Sequence, residues 1–379
     1  MPKYSSRAYS DEEREAILKK YRSGLIKKAN IPMGIFKNHI KELIDIGIFW
    51  EEWGDGVFYK DLFRKLEEST IQNKIDVING EKFINWGNVS FPLLANVFFP
   101  HMWEARSSDK PSLCEVWHDE VKMEKLLGKF LRDKKIFKTE EKTMKFFRKF
   151  LRSLSGGYFT YNYKPDIAKI IYELYGRRGR VFDFSMGWGA RLVGFLASSC
   201  KEYVGVDVNS KNFKCYEQIV RAYSKKGFRK KVCKFYNHPA EDFLPDKYEN
   251  YFDLSFSSPP YFIKEIYSDD DKQHHNLHGD SYDAWVDGFL KPMIANQYDL
   301  LKNTGTFVIN IADVTIKNKV YPLEKDTLDA CKDAGFILSD TYNMKINKSP
   351  FMRNKDVNER TQDKFGFKFE RIFIFSKGG

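Results

Sequence analysis

A chain of 379 residues can hold two domains, or one large domain with an extension, and it has no apolar run near the roughly 20 residues that span a bilayer. Its 42% hydrophobic content, with 33 Phe and 21 Tyr, supplies a packed core. The formal net charge of +11 favours polyanionic partners through counterion release.

The N-terminus, MPKYSSRAYSDEEREAILKKY, is polar and lacks a signal-peptide pattern, so a cytoplasmic location is expected. Residues 1–155 read mainly as helix and loop and form one expected domain. Helices are predicted over 11–22 and 34–46, the second ending near Gly47. The segment GIFWEEWGDGVFY reads as a small hairpin turning at Gly54 and Gly56. Helix, helix and hairpin fit a winged-helix module that docks on duplex DNA. The plainer alternative is a helical extension packed on the rest of the chain. Between Lys129 and Arg152, ten basic residues stand against three acids, with five Phe interleaved. The Phe side reads as core, and the Lys side as a face for a phosphate backbone.

Residues 156–379 alternate short apolar strands with amphipathic helices, the pattern of an α/β fold with a mostly parallel sheet. Strands are predicted at 180–185, 202–208, 232–237, 252–258 and 306–314, with helices near 165–174, 189–199, 210 onward, 281–302 and 323–334. Two final apolar runs, FILSDTYNM and FKFERIFIFSK, complete seven strands as an antiparallel C-terminal hairpin.

The five cysteines are scattered, with no C-x-x-C pair, which argues against a zinc ribbon or redox dithiol and suits a reducing compartment. His274, His275 and His278 cluster in a polar stretch read as a solvated loop, and no metal is expected.

Two motifs carry chemistry. In the run FDFSMGWGARL, a strand enters a turn containing Gly187 and Gly189 and then a helix. Glycines there let a backbone pass close to a ligand, and the helix start offers free N–H groups. Asp207 ends the next strand, 20 residues after Gly187, where an acid can accept both hydroxyls of a ribose. The third glycine of a dinucleotide fingerprint would fall at Leu192, so that pattern is broken. The pair denotes a nucleoside-containing cofactor.

Ser258-Pro259-Pro260-Tyr261 directly follows the fourth strand, at the carboxyl end of the sheet where α/β folds bind ligands. The prolines fix the backbone and leave carbonyl acceptors beside the Ser258 hydroxyl. Such acceptors grip an NH₂ group and aim its lone pair, while Tyr261 offers a stacking face for an extruded base.

Asp183 to Gly189 and Ser258 to Tyr261 resemble the cofactor and catalytic motifs of class I amino-methyltransferases acting on DNA, over roughly residues 156–379. The segments FDFSMGWGARLVG and SFSSPPYFIKEIY are also similar to methyltransferases of bacteriophage genomes. The resemblance implies a Rossmann-like class I sheet, S-adenosyl-L-methionine as cofactor and DNA as partner, with RNA the alternative. It implies transfer to the exocyclic amino group of a flipped base, the Ser form leaning to N4 of cytosine over N6 of adenine. Ser258, Pro259, Pro260 and Tyr261 would be catalytic. Tyr158 and Thr160 would wrap the methionine end, with Asp183, Ser185, Gly187 and Gly189 at the turn and Asp207 on the ribose. Glu241 or Asp242 would approach the adenine, with Phe243 as an apolar neighbour, or serve as ordinary helix N-terminal charges. Arg191 would meet the methionine carboxylate or a surface acid, and Glu265 would line the base pocket or face solvent. Little chain follows the last strand, so target recognition would fall to residues 1–155 or the loop 262–280. An RNA base or protein amide methyltransferase, or an inactive nucleic-acid-binding protein of this fold, are the other readings.

Overall fold

The computed structural model describes residues 57–70, 74–84, 91–119, 121–122, 151, 155–223, 231–268, 271, 273–279, 281–346 and 368–378. The helices predicted at 11–22 and 34–46, and all of 129–152 except Leu151, lie outside them. The chain forms two units. One comprises Met1–Gly54, Trp103–Arg106 and Lys110–Phe159; the other comprises Asp55–Met102, Ser107–Asp109 and Thr160–Gly379.

The second unit is built on a nine-stranded sheet. Its strands are β1 (Ile75–Ile78), β2 (Glu81–Ile84), β3 (Arg180–Asp183), β4 (Glu202–Asp207), β5 (Val232–Asn237), β6 (Phe252–Ser257), β7 (Leu301–Ile311), β10 (Phe336–Ile346) and β11 (Lys368–Lys377). A separate ribbon joins β8 (Val314–Ile316) to β9 (Lys319–Tyr321). The order is β1-β2-β10-β11-β7-β6-β3-β4-β5. Strands β3 to β7 run parallel, and β11 is antiparallel to both β7 and β10. The predicted mostly parallel sheet with a C-terminal antiparallel hairpin is what forms.

Helices connect and flank these strands. In chain order these are α1 (Val57–Glu68), α2 (Leu93–Asn96), α4 (Pro165–Tyr175), α5 (Ala190–Leu196), α6 (Asn212–Tyr223), α7 (His274–His278), α8 (Tyr282–Trp285), α9 (Lys291–Leu300) and α10 (Leu323–Asp333). Helix α4 packs on α5, and α9 on α10. Pro165 opens α4, where its missing N–H costs nothing, and Asp166 sits in the first turn. Buried Lys169 then donates to the carbonyls of Leu66, Glu67 and Ser69, capping the end of α1. The Phe-rich composition is spent on ring stacks within the sheet layer. Phe182 stacks on Phe243 and Phe252 at 5.5 and 5.1 Å, and Phe307 on Phe336 and Phe375 at 5.0 and 5.8 Å.

In the first unit, α3 (Leu113–His118) starts with a reciprocal cap. Ser112 Oγ accepts from Glu115 N, and Glu115 Oε2 accepts from Ser112 N. Trp103 meets Phe159 in the same unit at 5.1 Å.

Three elements differ from the sequence reading. The hairpin placed over GIFWEEWGDGVFY does not form at its end, because Val57 begins α1; the described hairpin lies at β1–β2. It turns on Asn79-Gly80, both at positive φ (52° and 80°), the dipeptide suited to a two-residue turn. The sheet thereby gains two strands beyond the seven expected. The helix expected over 281–302 breaks into α8, a π turn over Val286–Leu290, and α9. Pro292 has no N–H to give the carbonyl four residues back, so the coil widens there. Strand β7 then begins at Leu301, five residues earlier than expected.

Candidate active site

Strand β3 ends at Asp183, and the chain turns through Gly187 and Gly189 into α5. Both glycines are left-handed, at φ 56° and 70°. A Cβ on Gly189 would stand 2.8 Å from Ile219 Cδ1 and 3.0 Å from the Phe99 ring. Gly189→Ala is therefore expected to destabilise the fold by about 2–4 kcal/mol, through backbone strain and overpacking together. Urea unfolding checks this, and a loss under about 0.5 kcal/mol, the scale of a neutral surface change, would contradict it.

Asp183 is fully buried and its carboxylate is saturated. It accepts from Arg191 Nε at 2.9 Å, Arg191 Nη2 at 3.2 Å, Tyr203 Oη at 2.6 Å, Ser257 Oγ at 2.8 Å and Ser185 N at 3.2 Å. The expectation that Asp183 meets the cofactor is corrected: it holds the turn from behind. Arg191 is corrected with it. The guanidinium is buried, pairs with the buried Asp183 rather than a surface acid, and donates also to the Ser185 carbonyl. Ser185 enters this network through its backbone.

Asp207, at the end of β4, faces the turn. Its Oδ2 accepts from Gly187 N at 2.7 Å, and its Oδ1 from Asn209 N at 2.8 Å and Asn212 Nδ2 at 3.2 Å. Burial pushes this carboxyl up to about 6, while those donors pull the other way. Tyr216 Oη secures the Gly187 carbonyl at 2.7 Å, so acid and turn are fixed together. The segment before α4 joins them through Asn162 Nδ2, which donates to the Trp188 carbonyl at 2.8 Å.

Thr160 Oγ1, Trp188 Nε1 and Asn209 Nδ2 are buried without hydrogen-bond partners among the described residues. Thr160 lies two residues before Asn162, Trp188 lies inside the turn, and Asn209 follows Asp207 by two. Orphaned polar atoms gathered at a glycine turn fit a ligand rich in oxygen and nitrogen, such as a nucleoside cofactor. Trp188 and Asn209 were missed from sequence; an indole and an amide this near the turn were the available signal. Tyr158 belongs to the first unit, where its N–H donates to the Pro111 carbonyl at 2.7 Å.

After β5, Glu241 is buried and Asp242 exposed. Glu241 Oε1 lies 3.3 Å from His278 Nε2, and burial raises its carboxyl above the ordinary value. Phe243, expected beside an adenine, is instead core, stacked on Phe182. The solvated-loop reading of the histidines also fails. They lie on α7, and His274 is buried with Nε2 2.6 Å from the Phe262 carbonyl.

Strand β6 pairs with β3, so the segment following each emerges side by side at the switch point of the sheet. Ser257 Oγ ties the two by bonding Asp183 and the Ser185 carbonyl. Beyond it, Tyr261 Oη accepts from Ser258 Oγ at 3.3 Å, and its single proton has the Asn310 carbonyl and Glu370 Oε2 as alternative acceptors, each at 3.3 Å. Phe262 holds a positive φ of 53° with its ring fully buried against Tyr282, Trp285 and Tyr321, which fixes the exit of the tetrapeptide. Glu265 accepts from Tyr267 Oη. Asn310 and Glu370 were missed from sequence; only the pairing of β11 with β7 brings them here.

Residues 252–379 match the family model described as DNA methylase, a span that begins at β6 and includes the tetrapeptide. No curated protein matches the chain. Among solved structures, an S-adenosylmethionine-dependent methyltransferase from Clostridium acetobutylicum is 13% identical, over 56% of this chain and 89% of that one, at a TM-score of 0.35. The 1,6-didemethyltoxoflavin-N1-methyltransferase of Burkholderia thailandensis, solved with S-adenosylhomocysteine, is 17% identical, over 57% and 78%, at 0.36. The fold assignment rests on the strand order of the chain itself. The matched span supports a methyltransferase activity. Over its carboxyl-terminal third the chain is similar to the N6/N4 DNA methylases. Among the described residues, no group of three His, Cys, Asp or Glu could hold a metal, and no helix is long and apolar enough to cross a membrane.

Proposed function

We propose that the protein methylates the exocyclic amino group of a base in DNA, with N4 of cytosine favoured over N6 of adenine, on a base turned out of the duplex. The observation that carries this reading is the placement of Ser258-Pro259-Pro260-Tyr261 beside the glycine turn at adjacent strand ends. Ser258 gives its proton to Tyr261, which leaves its lone pairs to accept from an NH₂ group. The carbonyl of Pro259 is a second acceptor with no competing N–H from its own residue. Tyr261 stacks on the extruded ring. Bound S-adenosylmethionine supplies an electrophilic methyl group. Asp207 holds the ribose, the 187–189 turn admits the backbone close to it, and Thr160 satisfies the methionine end. The net positive charge of +11 suits a polyanionic substrate. The five cysteines are all free thiols, as suits a reducing cytoplasm.

The Asp207 role has a pH signature. Its carboxyl rises from 3.8 to about 6 on folding, so the native state binds the extra proton in that window and ionising the group there costs stability. The ionised carboxylate accepts from both ribose hydroxyls, whereas protonation turns one of its oxygens into a donor. Cofactor affinity is therefore expected to be full above pH 6 and to weaken as pH falls through it. Asp207→Ala should weaken binding by about 10–100-fold, the scale of hydrogen bonds to a charged group, and flatten the profile. Calorimetric titration across pH checks both, and a flat wild-type profile would overturn the assignment.

The deciding experiment is transfer of labelled methyl to DNA and, separately, RNA, followed by nucleoside mass spectrometry. N4-methylcytosine in DNA is the expected product. N6-methyladenine would correct the base, label confined to RNA would move the substrate, and no label in either would defeat the reading.

A further inference from the structure

The amino nitrogen of a base becomes a cation when it accepts a methyl group, and a proton must leave it. The head of this tetrapeptide is a serine, whose hydroxyl cannot keep that proton. Asp183 is saturated by its own partners, and Glu265 is engaged by Tyr267. Among the described residues, the carboxylate hydrogen-bonded to the tetrapeptide is Glu370, in β11.

The hydrogen bonds from Ser258 to this acid run in one direction. Ser258 Oγ donates to Tyr261 Oη at 3.3 Å, and the one Tyr261 proton has Glu370 Oε2 within reach at 3.3 Å, with the Asn310 carbonyl as the competing acceptor at the same distance. We propose that Ser258 and Tyr261 form a proton wire from the target amino group to Glu370, which is its terminal acceptor. The inference rests on the reading that Ser258 holds the amino group.

The balance is simple. The nitrogen forms a bond to the methyl carbon, and the carbon–sulfur bond that breaks leaves its electron pair on sulfur. An N–H bond then breaks with its pair left on nitrogen. That proton goes to Ser258 Oγ, the serine proton moves to Tyr261 Oη, and the tyrosine proton moves to Glu370 Oε2. Both hydroxyls are restored, one carboxylate becomes a carboxylic acid, and the acid later yields its proton to water.

The surroundings of Glu370 suit an acceptor that must also release. Burial pushes its carboxyl up to about 7, and Glu265 pushes the same way. Hydrogen bonds from Tyr261 and Asn310, and the charge of Lys164, pull it down. Tyr163 also faces it from the segment before α4. Arg371, its neighbour on β11, is directed to Glu324 at 3.5 Å. An acceptor poised near the working pH transfers protons most effectively in both directions.

The test is single-turnover methyl transfer to DNA across pH for the wild type, Glu370→Gln and Tyr261→Phe, with cofactor and DNA affinities measured alongside. An infrared titration of the Glu370 carboxyl, identified by its loss in Glu370→Gln, supplies a readout independent of turnover. The wild-type rate is expected to rise with pH through about 7 and level off, since only the carboxylate accepts. Glu370→Gln should be about 100-fold slower, the lower range for acid–base catalysis, with a flat profile and unchanged affinities. Tyr261→Phe keeps the ring but cuts the wire, so its rate should fall likewise. The Glu370 midpoint should rise in Tyr261→Phe, because a donor that favours the ionised form is gone. Retention of the rate and the pH limb by Glu370→Gln, or an unmoved midpoint in Tyr261→Phe, would overturn the wire. A wild type that labels no DNA would defeat the proposed function instead, and the infrared midpoint would still decide whether Tyr261 is coupled to Glu370.

Discussion

Tyr261→Ala is expected to lower kcat for methyl transfer by about 10²–10³-fold while leaving cofactor affinity within about twofold. Two losses combine. Stacking of a base on an aromatic ring contributes about 1–3 kcal/mol, and the alanine offers no such face. The hydroxyl that receives the Ser258 proton also disappears, so Ser258 is free to rotate and its lone pairs no longer point in a fixed direction. Misplacement of a reacting nitrogen by about 1 Å costs on the order of 100-fold by itself. Among the described residues, Tyr261 hydrogen-bonds Ser258, Asn310 and Glu370 and neither Asp207 nor the turn, which is why cofactor affinity should hold. Single-turnover rates with calorimetric cofactor titration separate the two quantities. A variant that keeps more than about a tenth of the rate would show that neither stacking nor orientation depends on this residue.

Asp183→Ala should reduce unfolding free energy by about 3–5 kcal/mol, the cost of leaving a buried charge without its partner. Arg191 would remain with its guanidinium 5% exposed and one backbone carbonyl for company. Tyr203 and Ser257 would each lose an acceptor in the interior. The turn hangs from this network, so cofactor affinity should drop with stability, unlike in Tyr261→Ala. Urea unfolding measures the first effect. Asp183→Leu combined with Arg191→Met should lose less than the sum of the single changes, because no charge is then stranded. Strict additivity would mean that the pair is not coupled.

The α/β half was readable because its local signals and its topology agree. Strands at 180–185, 202–208 and 252–258 are short apolar runs closed by turns, and each forms within one or two residues of its expected place. The glycines and the tetrapeptide announce themselves because each needs a particular backbone. The roles of Asp183 and Arg191 were not readable. A buried ion pair and a ligand contact call for the same residues, and only burial tells them apart. Glu370 was hidden because it is 109 residues from Tyr261, brought there by strand pairing alone. The Asn79-Gly80 hairpin was a legible signal passed over within a region read as helical.

That hairpin alters what the sheet presents to its surroundings. Strand β2 lies parallel to β10 and pairs with it from Tyr342 to Met344. Without it, β10 would be a terminal strand of 11 residues with one row of amides and carbonyls open, and Ile337 and Leu338 already stand exposed along it. A long open strand with apolar side chains is a template for another molecule to add to. The hairpin covers Tyr342–Met344 of that edge and ends the sheet there on β1, four residues long, whereas Phe336–Thr341 of β10 lie beyond its pairing. Residues 75–84 thus shorten the open part of this edge, and a fragment cut from Gly156 onward would expose all 11 residues of it.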